Sequence, residues 1–382
     1  MSSISMRTRA RTRGLRVAKR RAHSIARFDP RVRDIVAACA AQDERLADLA
    51  VSFPALLFTL AWPRRGVDHS PAYAAVREGA RLREIARLAG VPLWLRRVPI
   101  EAFTTPLPEL TDTPAFRCRI ADAIPLSPRV APVWFETVCE ALTWGTPEAA
   151  IWLGFYRKYR SDALPTKQIR LLMLWAWYTG KTTVPAQVRS DYIWRKEMSL
   201  KAAKESANDW FSQIRLHMTL DATPINDPWL TPQTVGDFVF IPLSTSQDLI
   251  DEAEALSNCL AINGYGYSIL RHQSRIWSIR KDGKHVAACE VTRSKKFFAP
   301  QIRQLEGPNN GTVDRDVAEA VYRWISAHDF VAHDFDEPRH DRMKLNKRLW
   351  VRAWRPYWLA KKRIPEWLPL VPSRRLLYGV DE

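Results

Sequence analysis

Residues 248–310 read DLIDEAEALSNCLAINGYGYSILRHQSRIWSIRKDGKHVAACEVTRSKKFFAPQIRQLEGPNN, and this stretch decides the fold class. The dipeptide Asp282-Gly283 separates two β-rich runs, 276–280 and 285–291, which predicts a two-residue hairpin turn. Before it, Ser244 and Gln247 form a capping-box pattern that opens a helix to about residue 258. Further strands are predicted over 237–243, 267–270 and 301–305, and a further helix over 314–328. Residues 233–330 are therefore predicted to form a small α+β module with an antiparallel sheet.

The chain before this module is predicted to be helical. Asp29-Pro30, Ser70-Pro71, Thr113-Pro114 and Thr146-Pro147 each place a capping side chain before a proline, which is typical of a helix start. The predicted helices cover 30–50, 71–89, 114–124, 132–144, 147–160 and 166–179, and a longer one, straight or kinked, covers 187–218. Three prolines within 221–232 break the helical pattern, so the domain boundary is predicted there. An all-helical domain over 29–220 follows from these signals.

The charge is concentrated at the two ends of the chain. Lys and Arg number 58 against 41 Asp and Glu, which gives a net charge of +17. Residues 1–28, with Arg11 and Arg13 among their basic groups, contain no acid, and charge repulsion predicts a disordered arm there. Residues 331–382 form a second basic segment, rich in tryptophan. Such ends indicate contacts with a polyanion, although a surface charged merely for solubility is the alternative.

Cysteine spacing and hydropathy narrow the class of protein. The chain has five cysteines and no C-x-x-C pair, so neither a zinc site nor a disulfide framework is indicated. Reduced thiols in a cytoplasmic protein fit this pattern best. No apolar run approaches the length of a membrane span, and the N-terminus lacks the apolar core of a secretory signal. Phosphate-binding glycine motifs are also missing, so a nucleotide-driven activity is not expected and no cofactor is predicted.

A spaced set of residues in the module resembles the PcfJ-like family, whose members are encoded on bacterial conjugative plasmids and other mobile genetic elements. The matching positions are Ile241-Pro242-Leu243, Glu252, Leu256, Cys259, the strand at 276–280, Glu290, Gln304, Gly307 and Asn310. The sequence departs from the family pattern where Asn258 replaces a histidine, Ala253 a glycine and Asn263 a tyrosine. The resemblance implies an association with DNA mobility, and it implies no established reaction.

Catalytic candidates in the module are Cys259, Glu252 and Glu290. Cys259 falls at the C-terminal end of the predicted helix, where the helix dipole disfavours a thiolate. A buried structural thiol is therefore expected in preference to a nucleophile. Glu290 alternates with its neighbours along a strand and is expected on a solvated face, with a pair across the hairpin or a pocket as alternatives.

Amide side chains are better candidates for recognition. Gln304, Asn309 and Asn310 can present a donor and an acceptor together, which suits a base edge. For Asn309 and Asn310 a simple turn is the alternative. A group of His and Asp residues could bind a metal, but a polar linker is the preferred interpretation and no metal site is predicted. Its members are His328, His333, Asp334, Asp336 and His340.

The C-terminal tail carries tryptophans at every fourth position, Trp350, Trp354 and Trp358. Three interpretations are open: nucleic-acid binding through cations and stacked indoles, docking of the stripe on the helical body, and an amphipathic helix on an anionic membrane. Nucleic acid is preferred. Its contacts are predicted at Arg348, Arg352, Arg355, Lys361, Lys362 and Arg363.

The function predicted from the sequence is a non-catalytic, cytoplasmic, nucleic-acid-binding accessory protein of a bacterial mobile element. DNA or RNA is the expected partner, and a protein encoded by the same element is a further one. One alternative is an enzyme that acts on a nucleotide or protein through Cys259 and a pocket of Glu290, Gln304 and Asn310. The other alternative is a scaffold for protein interactions.

Overall fold

A computed structural model describes residues 3–190, 192–221, 225–261, 264–293, 300–328, 346–373 and 376, with side chains from residue 14 onward. The chain divides into two compact units, one of residues 1–177 and 193–204 and one of residues 178–192 and 205–382. The second unit therefore begins before the prolines at 221–232, where the boundary was expected. The fold is helix-rich with a five-stranded antiparallel sheet, so the predicted α+β class is confirmed.

Short helices build the first unit. Asp29, Thr113 and Thr146 cap helices as predicted, each accepting a hydrogen bond from a backbone N–H of the first turn. The helices are α1 Ser3–Ala26, α2 Pro30–Ala40, α3 Glu44–Ser52, α4 Pro54–Ala61, α5 Ser70–Glu78, α6 Leu82–Leu88, α7 Pro114–Ala121, α8 Ala131–Trp144, α9 Pro147–Arg157 and α10 Thr166–Tyr178.

Local capping explains why two predicted helices are each divided. Asp43 caps α3 and so separates it from α2, where one helix over 30–50 was expected. Gly79 ends α5 with a left-handed φ of 80°, which separates α5 from α6. Helix α4 was not predicted, because Phe53 rather than a polar capping residue precedes its proline.

The basic N-terminal segment was expected to be disordered, but helix α1 covers most of it, from Ser3 to Ala26. Its C-terminal part is tied to the unit by ion pairs. Arg21 bonds to Glu44 and Asp48, and Arg27 bonds to Glu101 at 2.8 Å. Acids on neighbouring elements thus offset the repulsion that predicted disorder. The side chains of Arg11 and Arg13 lie outside the described residues.

The helix predicted over 187–218 is shorter than expected. Helix α11 spans Leu200–Leu220, and Ser199 begins it by accepting a hydrogen bond from the Ala202 amide at 3.1 Å. Residues 192–199 are irregular, and the Met198 carbonyl there accepts a hydrogen bond from the Trp152 indole at 3.1 Å. Capping by Ser199 therefore overrides the loose helical periodicity before it.

The sheet of the second unit is a meander. Its strands are β1 Gln233–Val235, β2 Phe238–Pro242, β3 Ser274–Lys281, β4 Lys284–Arg293 and β5 Pro300–Glu306, paired in that order and antiparallel throughout. The turn between β3 and β4 is Asp282-Gly283, as predicted, with φ values of 50° and 75°. Positive φ at both positions is the geometry of a type I′ hairpin turn.

Helices cover the two faces of the sheet. On one face α12 (Ser246–Leu256) and α13 (Tyr265–Leu270) pack with Ile276 and Ala288. On the other face α14 (Arg315–Ser326) packs its Trp324 on Trp277 and Phe240. The last described helix, α15, spans Lys347–Lys361. In the described ranges, no helix is long and apolar enough to cross a membrane.

Two local predictions in this unit are wrong. Helix α12 is capped by Thr245 with Asp248, one residue later than the predicted pair of Ser244 and Gln247. The residues predicted as a strand over 267–270 belong to α13, which follows a left-handed Gly264 with φ 76°. An apolar run this short suits a strand or a buried helical turn equally well, so periodicity alone could not decide.

Candidate functional site

The loop after α12 and the edge formed by β4 and β5 bring together four of the residues singled out from sequence. Cys259, Glu290 and Gln304 line one small cavity, and Cys259 Sγ lies 3.6 Å from Asn310 Oδ1. The volume of the cavity is about 10 Å³, so it holds no more than about one water molecule. The remaining catalytic candidate, Glu252, contacts His285 instead.

A chain of hydrogen bonds crosses this cavity. The Tyr265 hydroxyl donates to Gln304 Oε1 at 3.1 Å, and the Gln304 amide donates to Glu306. Burial, with smaller contributions from the nearby Cys259, Glu290 and Glu306, raises the pKa of Tyr265 to about 12. The phenol therefore remains a protonated donor at neutral pH. Its hydrogen bond fixes Gln304 with its carbonyl toward Tyr265 and its NH₂ toward Glu306.

Glu290 is not on a solvated face, so that expectation is wrong. Its side chain is 5% exposed, and its nearest cation is Arg303 on β5 at 3.3 Å. The sheet register places Glu290 between Ile276 and Gln304, on the face that α12 and α13 cover. The prediction that Glu290 faces opposite to Cys289 and Val291 is confirmed, but the strand pattern does not show that α12 and α13 cover the face on which Glu290 lies.

Cys259 lies three residues beyond the end of α12, in a turn, and it is half-buried rather than buried. The residues that line the cavity include two carboxylates, Glu290 and Glu306, and the nearby cation Arg303 pairs with Glu290 at 3.3 Å. A thiolate nucleophile needs a neighbouring positive charge or a helix N-terminus. Cys259 follows the C-terminal end of α12 and Arg303 is engaged by Glu290, so the surroundings of Cys259 suit a thiol that donates to Asn310.

Asn309 and Asn310 lie in a turn, which was the alternative to their role in base recognition. Pro308–Asn310 is a single 3₁₀ turn, and Asn309 and Asn310 both have left-handed φ values, 57° and 54°. The Gly307 amide closes it by donating to the Gly311 carbonyl at 2.8 Å. Both asparagine side chains are exposed, so the turn also leaves them accessible.

Glu252 and His285 form a buried pair on the same face of the sheet. Glu252 is fully buried on α12, and its Oε2 lies 2.6 Å from His285 Nδ1. The other oxygen, Oε1, has no hydrogen-bond partner in the part of the chain that the structure describes. Removing His285 would leave a buried carboxyl group without a partner, which makes this pair a stability element of α12 and β4.

A second polar cluster contains serine, histidine and aspartate, but its geometry is not that of a catalytic triad. Ser246 Oγ lies 2.7 Å from His217 Nδ1, and the same nitrogen lies 3.1 Å from Asp221 Oδ2. Ser246 also donates directly to Asp221. In a triad the imidazole bridges serine and carboxylate with its two different nitrogens. Here one nitrogen serves both partners, so the cluster fastens α11 to the start of α12.

Burial would raise the pKa of Asp221, but hydrogen bonds from His217 and Ser246 outweigh it and hold that pKa below its usual value. The carboxylate is therefore charged at neutral pH. Sequence analysis missed this cluster because Ser246 and His217 are 29 positions apart and no local motif joins them.

The group of His and Asp residues that was considered as a possible metal site, with a polar linker preferred, is only partly within the described residues. His328 uses both ring nitrogens: Nδ1 lies 2.8 Å from the Trp324 carbonyl, and Nε2 accepts from the Thr231 amide at 2.9 Å. His333, Asp334, Asp336 and His340 lie outside the described residues. Within the described ranges, no group of three or more His, Cys, Asp or Glu side chains could hold a metal ion.

The tryptophan stripe of α15 packs on the body of the second unit, which was the second of its three interpretations. Trp350 and Trp354 are fully buried and Trp358 nearly so. Trp354 makes edge contacts with Tyr178 at 5.3 Å and Trp210 at 6.0 Å between ring centroids. These indoles are therefore not available to stack on bases.

The opposite side of α15 is a row of exposed cations, Lys347, Arg348, Arg352 and Arg355. Positions 348, 352 and 355 are four and three residues apart, so they share one face of the helix. With residues 183–185, Val351, Pro356 and Leu359, these cations line a groove of about 910 Å³. The lining residues that the structure describes include no acid, so nothing in the groove offsets the four positive charges.

The end of α15 is less suited to phosphate contacts than the sequence implied. Burial, with a smaller contribution from the nearby Arg363, lowers the pKa of Lys361 to about 8. Its ammonium lies 5.9 Å from the Tyr357 ring centroid. Lys362 ends the helix in a left-handed conformation and is exposed, as is Arg363. The cation row at 347–355 is thus the stronger part of the predicted contact set.

No family model matches the chain. No curated protein and no solved structure matches it significantly either. Inferences about function therefore rest on the residues and geometry described above, and the resemblance to PcfJ-like proteins stays a prediction.

Proposed function

We propose that the protein is a non-catalytic accessory protein of a bacterial mobile element, and that it binds the phosphate backbone of nucleic acid. The observation that carries this proposal is the cation row of α15, defined as Lys347, Arg348, Arg352 and Arg355. The row lies beside a groove without acids, while the indoles of the same helix are buried. Guanidinium groups bind phosphate oxygens with two parallel hydrogen bonds, which favours arginine at such a surface.

This geometry favours binding without base readout. The buried tryptophans leave no described stacking platform on α15, and phosphate contacts position a protein without specifying a sequence. Single-stranded and double-stranded nucleic acid should therefore both bind, with affinities that differ through charge density rather than through stacking. The exposed amides of Asn309 and Asn310 could add local contacts to bases. The mobile-element assignment rests on the family resemblance alone, as does a protein partner encoded by the same element.

A binding assay with matched variants tests the proposal. Fluorescence anisotropy would measure the affinity of the full chain for a labelled duplex, a single strand and an RNA of equal length at low salt. The double variant Arg348→Ala/Arg352→Ala should weaken binding to all three. The control Lys284→Ala/Arg323→Ala removes two exposed cations outside the groove and should have a smaller effect. Equal effects of the two double variants would count against the α15 surface.

The same assay distinguishes nucleic-acid binding from the alternative that α15 lies on an anionic membrane. The groove also contains Val351 and Leu359, which are 38% and 67% exposed, and an amphipathic basic helix can lie on an anionic membrane. Vesicles of anionic phospholipid should compete weakly with the duplex if phosphate backbones are the ligand. Binding to vesicles alone would refute the nucleic-acid proposal.

The enzyme alternative has less support. The cavity beside Cys259 is too small for a substrate in this conformation, and carboxylates rather than cations line it. A protein scaffold, the third hypothesis, predicts that removing the cation row would leave the partner bound.

A further inference from the structure

The first unit contains a cleft that the proposed function does not use. It lies between α6 and α7 and has a volume of about 530 Å³, within the range of small-molecule sites. Three arginines line it, Arg83 and Arg87 from α6 and Arg117 from α7. We call it the α6–α7 cleft.

Two arginines that make no described ion pair form the α6 side of the cleft. Arg83 and Arg87 are four residues apart, so they lie on the same face of α6, where like charges repel. Both are exposed, and among the described residues neither side chain has a hydrogen bond or an ion pair. Two neighbouring guanidinium groups that pair with no described carboxylate match the oxygens of a phosphate group.

The opposite side of the cleft is acidic, since Glu109 and Asp112 come from the loop before α7. Asp112 Oδ2 accepts from the Leu93 amide at 3.2 Å and from Arg117 at 3.4 Å. Its Oδ1 is buried and has no hydrogen-bond partner in the described ranges. Because Oδ1 is buried, a ligand in the cleft does not reach it, and the accessible acceptor on this side is the exposed Glu109 carboxylate.

Apolar side chains form the remaining walls, among them Leu93 and Leu110. The cleft therefore offers cations at one side, the exposed acceptor Glu109 at the other and apolar surface in its remaining walls. We propose that it binds a nucleoside monophosphate. The phosphate group would contact Arg83 and Arg87, a ribose hydroxyl would donate to the Glu109 carboxylate, and the base would lie against the leucines.

Isothermal titration calorimetry of the full chain with AMP tests this site. AMP should bind at one saturable site, at least tenfold more tightly than inorganic phosphate, ribose 5-phosphate or adenosine. A phosphate affinity equal to that of AMP would overturn the proposal in favour of simple anion attraction. Equal affinities for AMP and ribose 5-phosphate would overturn the assignment of a base. Equal affinities for AMP and its 2′,3′-dideoxy analogue would overturn the contact with Glu109.

Variants locate the site. Arg83→Ala/Arg87→Ala should weaken AMP binding at least tenfold, and these exposed positions should leave folding intact. Arg119→Ala removes an exposed arginine of α7 that does not line the cleft, and it should leave the affinity unchanged. Arg348→Ala/Arg352→Ala should also leave AMP binding unchanged, so failure of this site and failure of the α15 surface are distinguishable. An unaltered affinity in the Arg83/Arg87 double variant would refute the assignment.

Discussion

Replacing Trp354 with alanine tests whether the tryptophan stripe of α15 is structural. Its side chain is fully buried and lies among the rings of Tyr178, Trp210 and Phe211, at centroid distances of 5.3, 6.0 and 6.3 Å. Truncation of a buried Phe or Trp to alanine costs about 3–5 kcal/mol. The Trp354 indole N–H is buried without a partner in the described ranges, so the loss should fall toward about 3 kcal/mol.

Urea denaturation followed by far-UV circular dichroism would measure this loss. Trp354→Phe keeps a ring but removes the unsatisfied N–H, so it should cost no more than about 1.5 kcal/mol. Leu359→Ala changes a side chain of the same helix that is 67% exposed, and it should stay within about 0.5 kcal/mol of the wild type. A loss below about 1 kcal/mol for Trp354→Ala, together with weaker nucleic-acid binding, would show that the indole serves the ligand.

Three further predictions concern titratable and nucleophilic groups of the second unit. Because the pKa of Asp221 is lowered in the fold, its stabilising contribution is fully present above the unfolded pKa of about 3.9 and is lost as pH falls through the folded pKa. Ser246→Ala removes one of the hydrogen bonds that lower this pKa. The loss of unfolding free energy that it causes, measured by urea denaturation, should therefore be greatest above about pH 4 and shrink below it. A loss that grows on acidification would contradict the assignment. His285→Leu leaves the buried Glu252 without its partner and should lower the free energy of unfolding by about 3–5 kcal/mol. The double variant Glu252→Leu/His285→Leu should recover most of that loss. A double variant less stable than His285→Leu would refute the pairing. Burial raises the pKa of Cys289 to about 12. Iodoacetamide labelling at pH 7, followed by mass spectrometry, should therefore modify exposed Cys118 first, half-buried Cys259 more slowly and Cys289 only after unfolding. Faster labelling of Cys259 than of Cys118 would favour the enzyme alternative.

Local signals predicted the parts of the fold that depend on a few adjacent residues. Asp282-Gly283 specifies its hairpin turn because both positions need positive φ, and Thr113 and Thr146 cap helices from their own side chains. The prediction failed over 267–270, where a short apolar run fits a strand or a helical turn equally well. It also failed over 189–190 and 192–199, where the capping of α11 by Ser199 was not weighed against periodicity.

The sites were less predictable because their contacts join residues that are distant in the sequence. Cys259 meets Asn310 across 51 positions, and Glu252 meets His285 across 33. Alternation placed Glu290 opposite to its neighbours, but only the packing of α12 and α13 decides that its face is covered. The α15 cations were visible from spacing alone, whereas the burial of Trp354 depends on Tyr178 and Trp210, far earlier in the chain.

The salt dependence of duplex binding tests the central claim most directly. Each phosphate contact contributes about −0.9 to the slope of log K against log salt, so the four cations of the row contribute about −3.6. Between 50 and 200 mM salt, this part of the affinity falls by roughly 150-fold. Arg348→Ala/Arg352→Ala should make the slope shallower by about 1.8, whereas Lys284→Ala/Arg323→Ala should leave it nearly unchanged. An identical slope for the wild type and the Arg348/Arg352 double variant would contradict the assignment of α15 as the nucleic-acid surface.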